Sequence, residues 1–509
     1  MLVDYRMKTK PHIIIFNPDQ WRGDVLGHIG NAAAMTPNLD RHVREDAVSF
    51  SSAFCQSTVC VPSRCSFMTG WYPHVRGHRT MHHMLHPERD EPNLLTILKA
   101  SGYFVWWGGK NDLTPGQADT GQYCDIRFRP TQEDYARWNC TPREGNHGGE
   151  LAWRGEPDGD NFYSFFKGKL LKESEDVYCD GDWAMVFGAR DFIRKYDGEK
   201  PLCVYLPLTY PHPPYCVEDP WYNMTDREKL PRRARHPDGW QGKPSILKGL
   251  WENQGLDSWT EDRWSELRAT YYGMCARLDH QFGLLTDALR EAGMYDDSAV
   301  FFFSDHGDYT GDYGLVEKTQ NTMEDCLTRV PLIVKPPKRA PVKPRVSDAL
   351  VELVDFPATV YDLAGIDPGY DHFGKSLLPH LSGDTDAHRD AVFCEGGRLY
   401  GERQAMELES ASANGGTGST GLYAPRVRLQ TTDDAPYHTK AAMCRTKTHK
   451  YVRRHYEQDE LYDLVADPQE EKNVIGQPAY GDVLTALKER MLRWYMGTCD
   501  VVPRKTDNR

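Results

Sequence analysis

The apolar positions of this chain fall into two patterns. Four short runs are continuously apolar or aromatic: His12-Ile13-Ile14-Ile15-Phe16, Tyr103-Phe104-Val105-Trp106-Trp107, Leu202-Cys203-Val204-Tyr205-Leu206-Pro207-Leu208 and Ala299-Val300-Phe301-Phe302-Phe303. Runs of this length without polar alternation predict strands buried on both faces. Each stops abruptly in polar residues: Asp19 follows the first, Lys110 the second, His212 the third, and Asp305 and His306 the fourth. The second pattern has helical spacing. It predicts a helix from Pro37 with Thr36 as its cap, another over 93–100, one over 271–292 (Leu278, Phe282, Leu285, Leu289) and one from Asp355. Strands alternating with helices imply an α/β protein, and ligands in such sheets gather beyond the carboxyl ends of the strands. The polar residues after each run therefore belong to one candidate site.

Two stretches, 113–176 and 217–257, are rich in Gly, Asp, Arg and aromatic residues with weak periodicity. Loops this long in a compact domain usually carry function, so both are assigned to the walls of a cleft. The segment Lys335-Pro336-Pro337-Lys338-Arg339-Ala340-Pro341 reads as an exposed turn, and the polar run over 383–389 as a boundary. A larger domain, 1–385, and a smaller one, 386–509, are expected, the latter with a flexible Gly/Ser loop near 410–421. No repeat of solenoid length occurs.

The chain has 509 residues, 39% hydrophobic and 27% charged, which argues against a disordered or membrane class. Its 61 basic against 74 acidic residues give a net charge of −13. That argues against nucleic acid as a partner, and an anionic substrate would need a local positive pocket. Thirteen scattered cysteines, without a C-x-x-C pair, fit free thiols in a reducing compartment better than a disulfide framework. No run approaches a membrane span and the first ten residues lack a leader-like apolar core, so a cytoplasmic location and no membrane partner are expected. No pattern specifies an oligomeric state.

The most informative stretch is Cys60-Val61-Pro62-Ser63-Arg64-Cys65-Ser66-Phe67-Met68-Thr69-Gly70. Pro in a first helical turn costs no hydrogen bond, and a helix start offers free N–H groups to an anion. Cys60 would sit at that positive end with Arg64 one turn away on the same face. Asp19 and Asp305 offer carboxylates, and His306 an imidazole, to a hard divalent cation. Lys110 and Lys318 can neutralise anionic oxygens, and His212 in Tyr-Pro-His-Pro-Pro can transfer a proton near neutral pH.

The C-x-P-S-R pattern with its following Thr-Gly resembles the signature of the formylglycine-dependent sulfatases of the alkaline phosphatase superfamily. Glu460-Leu461-Tyr462-Asp463-Leu464 with Asp467-Pro468 is similar to that family's C-terminal signature. The resemblance implies an α/β/α sandwich with a central mixed, mostly parallel sheet, and a smaller α+β domain with a short antiparallel sheet. It implies a sulfuric ester hydrolase acting on a small sulfated substrate, with Cys60 oxidised to formylglycine by a maturase. It also implies one cation, calcium first and manganese or magnesium as alternatives, at Asp19, Cys60, Asp305 and His306. By the same resemblance Lys110 and Lys318 hold sulfate oxygens, Arg64 steadies the nucleophile and His212 protonates the leaving group.

Two departures matter. Pro18 stands where many relatives have a second aspartate, and Asp112 stands where Gly-Lys-x-His would place a histidine. Asp112 could serve as the base or recognise substrate, or His78, His82 or His83 could take the missing role. Two rival readings remain: a phosphonate monoester or phosphodiester hydrolase on the same scaffold, and a sulfated-glycan binding protein in which Cys60 is never converted.

Overall fold

The computed structural model describes residues 10–89, 91–116, 119–143, 150–171, 178–402, 421–432, 435–504 and 506. Its main sheet has eight strands: β1 (His12–Asp19), β2 (Val48–Phe50), β3 (Phe104–Gly108), β4 (Ile126–Phe128), β5 (Leu202–Pro211), β6 (Ser298–Phe303), β7 (Leu332–Lys335) and β8 (Arg345–Ser347). Their spatial order is β8-β2-β7-β6-β1-β5-β3-β4. β7 runs antiparallel to both its neighbours and the other pairings are parallel. The four predicted strands therefore lie side by side at the centre, in the order β6-β1-β5-β3.

The strands are uniformly apolar because both faces are covered. Ile13 and Ile15 of β1, with Phe301 and Phe303 of β6, point into one core, which also takes Phe67, Phe356 and Val360. Ile14, Phe16, Val300 and Phe302 point into the other, with Leu278, Phe282, Leu285 and Leu289. Burying each such side chain contributes roughly 1.5–3 kcal/mol. The first core is roofed by α2 (Cys60–Thr69) and α5 (Asp355–Ala364), the second by α1 (Pro37–Glu45), α3 (Gly181–Lys195) and α4 (Glu261–Glu291). This is the α/β/α sandwich with a mostly parallel sheet.

A four-stranded antiparallel sheet follows: β9 (Val392–Gly396), β10 (Ala441–Arg445), β11 (His449–Arg454) and β12 (Glu460–Asp463). The helix α7 (Gly481–Thr498) packs on it through Leu487, Met491 and Trp494. Between β9 and β10 lies α6 (Ala424–Thr431). The Gly/Ser-rich stretch preceding α6 lies outside the described residues up to Gly421, as do the first nine residues of the chain.

Local readings needed correction in four places. Thr36 makes no capping bond to α1; its hydroxyl donates to Asp40 and accepts from the Gly27 N–H instead. The helix α4 begins at Glu261, ten residues before the periodic stretch, because the Thr260 side chain caps it there. The stretch 217–257 contains a helix, Ser245–Gln254, and 113–176 contains short helices and strands. Lys335 is 3% exposed, closing β7 rather than opening a surface turn. Among the described residues no helix is long and apolar enough to cross a membrane.

Candidate active site

Every residue singled out after a strand reaches the carboxyl edge of the sheet. β1 delivers Asp19 and β6 leads directly to Asp305 and His306, so the register of these neighbouring strands sets the spacing of the carboxylates. The whole of α2 is buried, locked to β6 by the contact of Phe67 with Phe303 (5.0 Å between centroids) and by the Ser63 hydroxyl donating to the Asp305 carbonyl (2.6 Å). Its first residue, Cys60, is thereby presented at the helix's positive end.

Cys60 Sγ lies 3.2 Å from His306 Nε2 and 3.5 Å from Asp19 Oδ1. One donor atom each from Asp19, Cys60, Asp305 and His306 fall within 4.8 Å of one another. The residues fit a divalent cation on chemistry as well as distance. His306 Nδ1 donates to the Gly307 carbonyl (2.9 Å), leaving the Nε2 lone pair aimed into the cluster. Burial holds that imidazole's pKa below its ordinary value, which favours the ligating form. Burial opposes ionisation of Asp19, but Lys110 and Arg64 outweigh it and keep the carboxyl well below its usual range. A carboxylate, which prefers hard cations, is therefore available there.

The basic groups divide in two. Arg64, fully buried, donates to Asp19 Oδ2 (2.9 Å), Asp305 Oδ2 (3.0 Å) and Asn17 Oδ1 (2.9 Å). It orients the acidic groups of the cluster and offsets their charge. Lys110 reaches Asp19 Oδ2 (2.7 Å), Asp112 Oδ2 (2.8 Å) and Cys60 Sγ (3.7 Å). Its position depends on Gly109, whose φ is 105° and where a Cβ would stand 2.0 Å from the Pro207 carbonyl. Only glycine lets β3 approach β5 that closely. Lys318 donates to Gln20 Oε1 (2.7 Å) and to His212 Nε2 (3.1 Å). His212 Nδ1 donates to the Pro213 carbonyl (2.6 Å), which fixes the ring and leaves Nε2 facing Lys318.

Cys60 itself is a poor thiolate. Burial, then Asp19, push its pKa well above the ordinary value, against the pull of Lys110 and Lys318. A catalytic thiolate requires the opposite environment.

Asp112 is brought in as a charge partner of Lys110 and, at 3.9 Å, of Arg64. The three histidines offered as substitutes lie on a separate turn: His78 bonds Glu91 and the His83 carbonyl, and His83 meets the Thr80 hydroxyl. Sequence reasoning missed Asn17 and Gln20, although both flank Asp19. It also missed Glu317, beside Lys318, and Tyr423 and Arg426, which approach from α6 with no sequence signal at all. Gln20 bonds Lys318 and, through Nε2, Asp308 (2.5 Å), while its N–H donates to Asp305 Oδ1 (3.0 Å).

A metal-competent cluster with a cysteine at a helix start, beyond a mostly parallel sheet, is the arrangement that the resemblance to the alkaline phosphatase superfamily implied. The model of the Sulfatase family matches residues 11–366, and the chain belongs to that family. It is 25% identical to the multifunctional alkaline phosphatase superfamily protein PehA of Trinickia caryophylli, over 97% of this chain and 96% of that one. It is 26% identical to a choline-sulfatase of Rhizobium meliloti, over 98% and 90% respectively. Its fold is similar to that of a phosphonate monoester hydrolase of Agrobacterium radiobacter, with TM-score 0.72, 21% identity and coverage of 98% and 100%.

Proposed function

We propose that this protein is a metal-dependent sulfuric ester hydrolase whose nucleophile is formylglycine, made from Cys60 by a maturase. The observation that carries the reading is the convergence of Asp19, Cys60, Asp305 and His306 within 4.8 Å at the start of α2. A bound cation, calcium in the first instance or manganese or magnesium, would be held by these residues and would polarise a sulfate oxygen. The formylglycine would supply the attacking oxygen. A cysteine whose environment disfavours the thiolate supports conversion over thiol chemistry.

The chain's own groups do the rest. Lys110, beside Cys60, and Lys318, beside Gln20 and His212, neutralise sulfate oxygens as charge develops. Arg64 holds the two aspartates in place, and through them the nucleophile's surroundings. His212, its ring fixed by the Nδ1 bond to a carbonyl, would hold a proton at Nε2 once Lys318, now its partner there, turns to the sulfate oxygens, and would release it to the leaving oxygen. Asp112 keeps Lys110 directed at the site. The substrate is a small sulfated molecule bound between the walls formed by 113–176 and 217–257, and the chain divides near residue 385 into a catalytic and a smaller domain.

A second reading, phosphonate monoester or phosphodiester hydrolysis, is favoured by Asp112 in place of histidine and by the fold similarity to a phosphonate monoester hydrolase. Rates on an aryl sulfate and an aryl phosphonate, measured on one preparation, separate the two. Mass spectrometry of the Cys60 peptide tests the nucleophile, since conversion of thiol to aldehyde lowers the mass by about 18 Da. A fully thiol peptide in a preparation active on aryl sulfate would remove formylglycine from the mechanism. Conversion with loss of all turnover in Cys60→Ala is the expected result.

A further inference from the structure

Lys318 is gripped by a residue that is itself held in an unfavourable conformation. Glu317 is 2% exposed and has a φ of 67°. A side-chain-bearing residue in that left-handed region is strained and persists only where its surroundings over-determine it. The bonds show what the conformation achieves. Glu317 Oε1 accepts from Lys318 Nζ (2.5 Å), and Oε2 accepts from the Lys318 backbone N–H (2.7 Å). One carboxylate thus holds the lysine at both ends of its side chain.

The other side of that carboxylate is held from far along the chain. Arg426 Nη1, on α6, donates to Glu317 Oε2 (2.5 Å) and to the Lys318 carbonyl (2.7 Å). Glu317, Lys318 and Arg426 are all buried. The Arg426 guanidinium lies 4.6 Å from the Tyr423 ring centroid, and the Tyr423 hydroxyl lies 3.4 Å from His212 Nε2. The turn entering α6 therefore rests on both Lys318 and His212.

Charge explains why three groups are present where two would form a pair. A buried Lys–Glu pair is neutral, so a lysine satisfied by its own glutamate would attract an incoming anion weakly. Arg426 shares the carboxylate and leaves the three groups with one net positive charge, carried by Lys318 to Gln20 Oε1 and His212 Nε2. A lysine stem is also flexible, and its ammonium is steered only by what it bonds.

We propose that Glu317 and Arg426 are positioning residues for Lys318: the carboxylate fixes the direction of the ammonium, and Arg426 keeps the pair electropositive toward a bound oxyanion. This rests on the reading of Lys318 as an oxyanion contact.

The test is a double-mutant cycle of Arg426→Met and Lys318→Met, read as kcat and KM on whichever aryl ester the wild type turns over, sulfate or phosphonate. Arg426→Met in the wild-type background is expected to lower kcat by about 10–100-fold, the cost of a misplaced group, with a smaller change in KM. In the Lys318→Met background the same substitution should cost less than about 3-fold, because the residue it acts through is gone. Arg426→Lys, which keeps the charge, should recover part of the loss, and it carries the cycle if Arg426→Met does not fold. Equal losses in both backgrounds overturn the proposal, as does a lowered melting temperature with unchanged kcat in the folded fraction. The cycle is repeated on calorimetric affinity for inorganic sulfate, which needs no turnover. A wild type inactive on both esters defeats the functional reading alone if sulfate binding still shows the coupling. Absence of sulfate binding and of turnover together overturns both.

Discussion

At the scale of single residues, the site works by setting buried charges against each other. His212 is the residue whose role is most open to direct test. A general acid matters when the leaving alkoxide is poor and little when it departs unprotonated. His212→Ala is therefore expected to slow an alkyl or sugar sulfate by roughly 10²–10⁴-fold and 4-nitrophenyl sulfate far less. Equal losses on the two substrates would assign His212 to sulfate binding instead. Away from the site, Lys335 gives a prediction of a different kind. Its ammonium is buried at the end of β7 against the Tyr295 and Ser298 carbonyls, and burial lowers its pKa to about 8 from an ordinary 10.5. At this site the unfolded chain binds more protons than the folded one between those values, so this lysine's own contribution to stability rises with pH from about 8 to about 10.5. The gain is about 3 kcal/mol over that window. Buried thiols and phenols such as Cys65, Cys203 and Tyr205, whose pKa values burial raises, pull the other way, so in denaturant melts at several pH values the stability difference between wild type and Lys335→Met should rise with pH across this window. A parallel slope in both proteins would contradict the assignment.

At the scale of elements, the geometry of the site is inherited from strand register. Because β3 and β5 approach at Gly109, Lys110 leaves the sheet edge at the height of Asp19. Gly109→Ala combines a positive φ with a backbone clash and is expected to destabilise the protein by roughly 2–4 kcal/mol. Because the next residue is Lys110, the folded fraction should also lose turnover. Full activity per folded molecule, by circular dichroism and initial rates, would show that the Lys110 position tolerates the shift. The helix α2 illustrates how much of this the sequence carried. Pro62, Ser63 and Arg64 announced a helix start with Cys60 at its tip, and the structure has that arrangement. The pattern could not show that all ten residues of α2 are buried, because the edge-to-face contacts of Phe67 with Phe303 and Phe356 come from distant strands and helices.

At the scale of the whole molecule, a net charge of −13 leaves an anionic substrate to be drawn by local cations, Arg64, Lys110 and Lys318 among them. Chelation should remove activity without unfolding the protein, since both apolar cores are independent of the metal-competent cluster. Metal-free protein, verified by elemental analysis, is expected to keep its melting transition within a few degrees and to regain turnover with calcium, manganese or magnesium. A metal-free and fully active protein would leave the cluster without a catalytic role. The sequence by itself determined the central strands, the polar residues that end them and the cysteine at a helix start. These are local consequences of side-chain pattern, and the gathering of Asp19, Cys60, Lys110, His212, Asp305, His306 and Lys318 at one site was legible for that reason. Only the tertiary structure decided which charges meet. Arg426 sits 109 positions beyond Glu317, past a glycine-rich stretch, and no periodicity relates them. Likewise Lys335, flanked by Pro336 and Pro337, has the composition of a surface turn. It is buried because the carbonyls of Tyr295 and Ser298 satisfy its ammonium at the end of the strand. Contacts of this kind are set by how layers dock, a property of packing that no window of sequence contains.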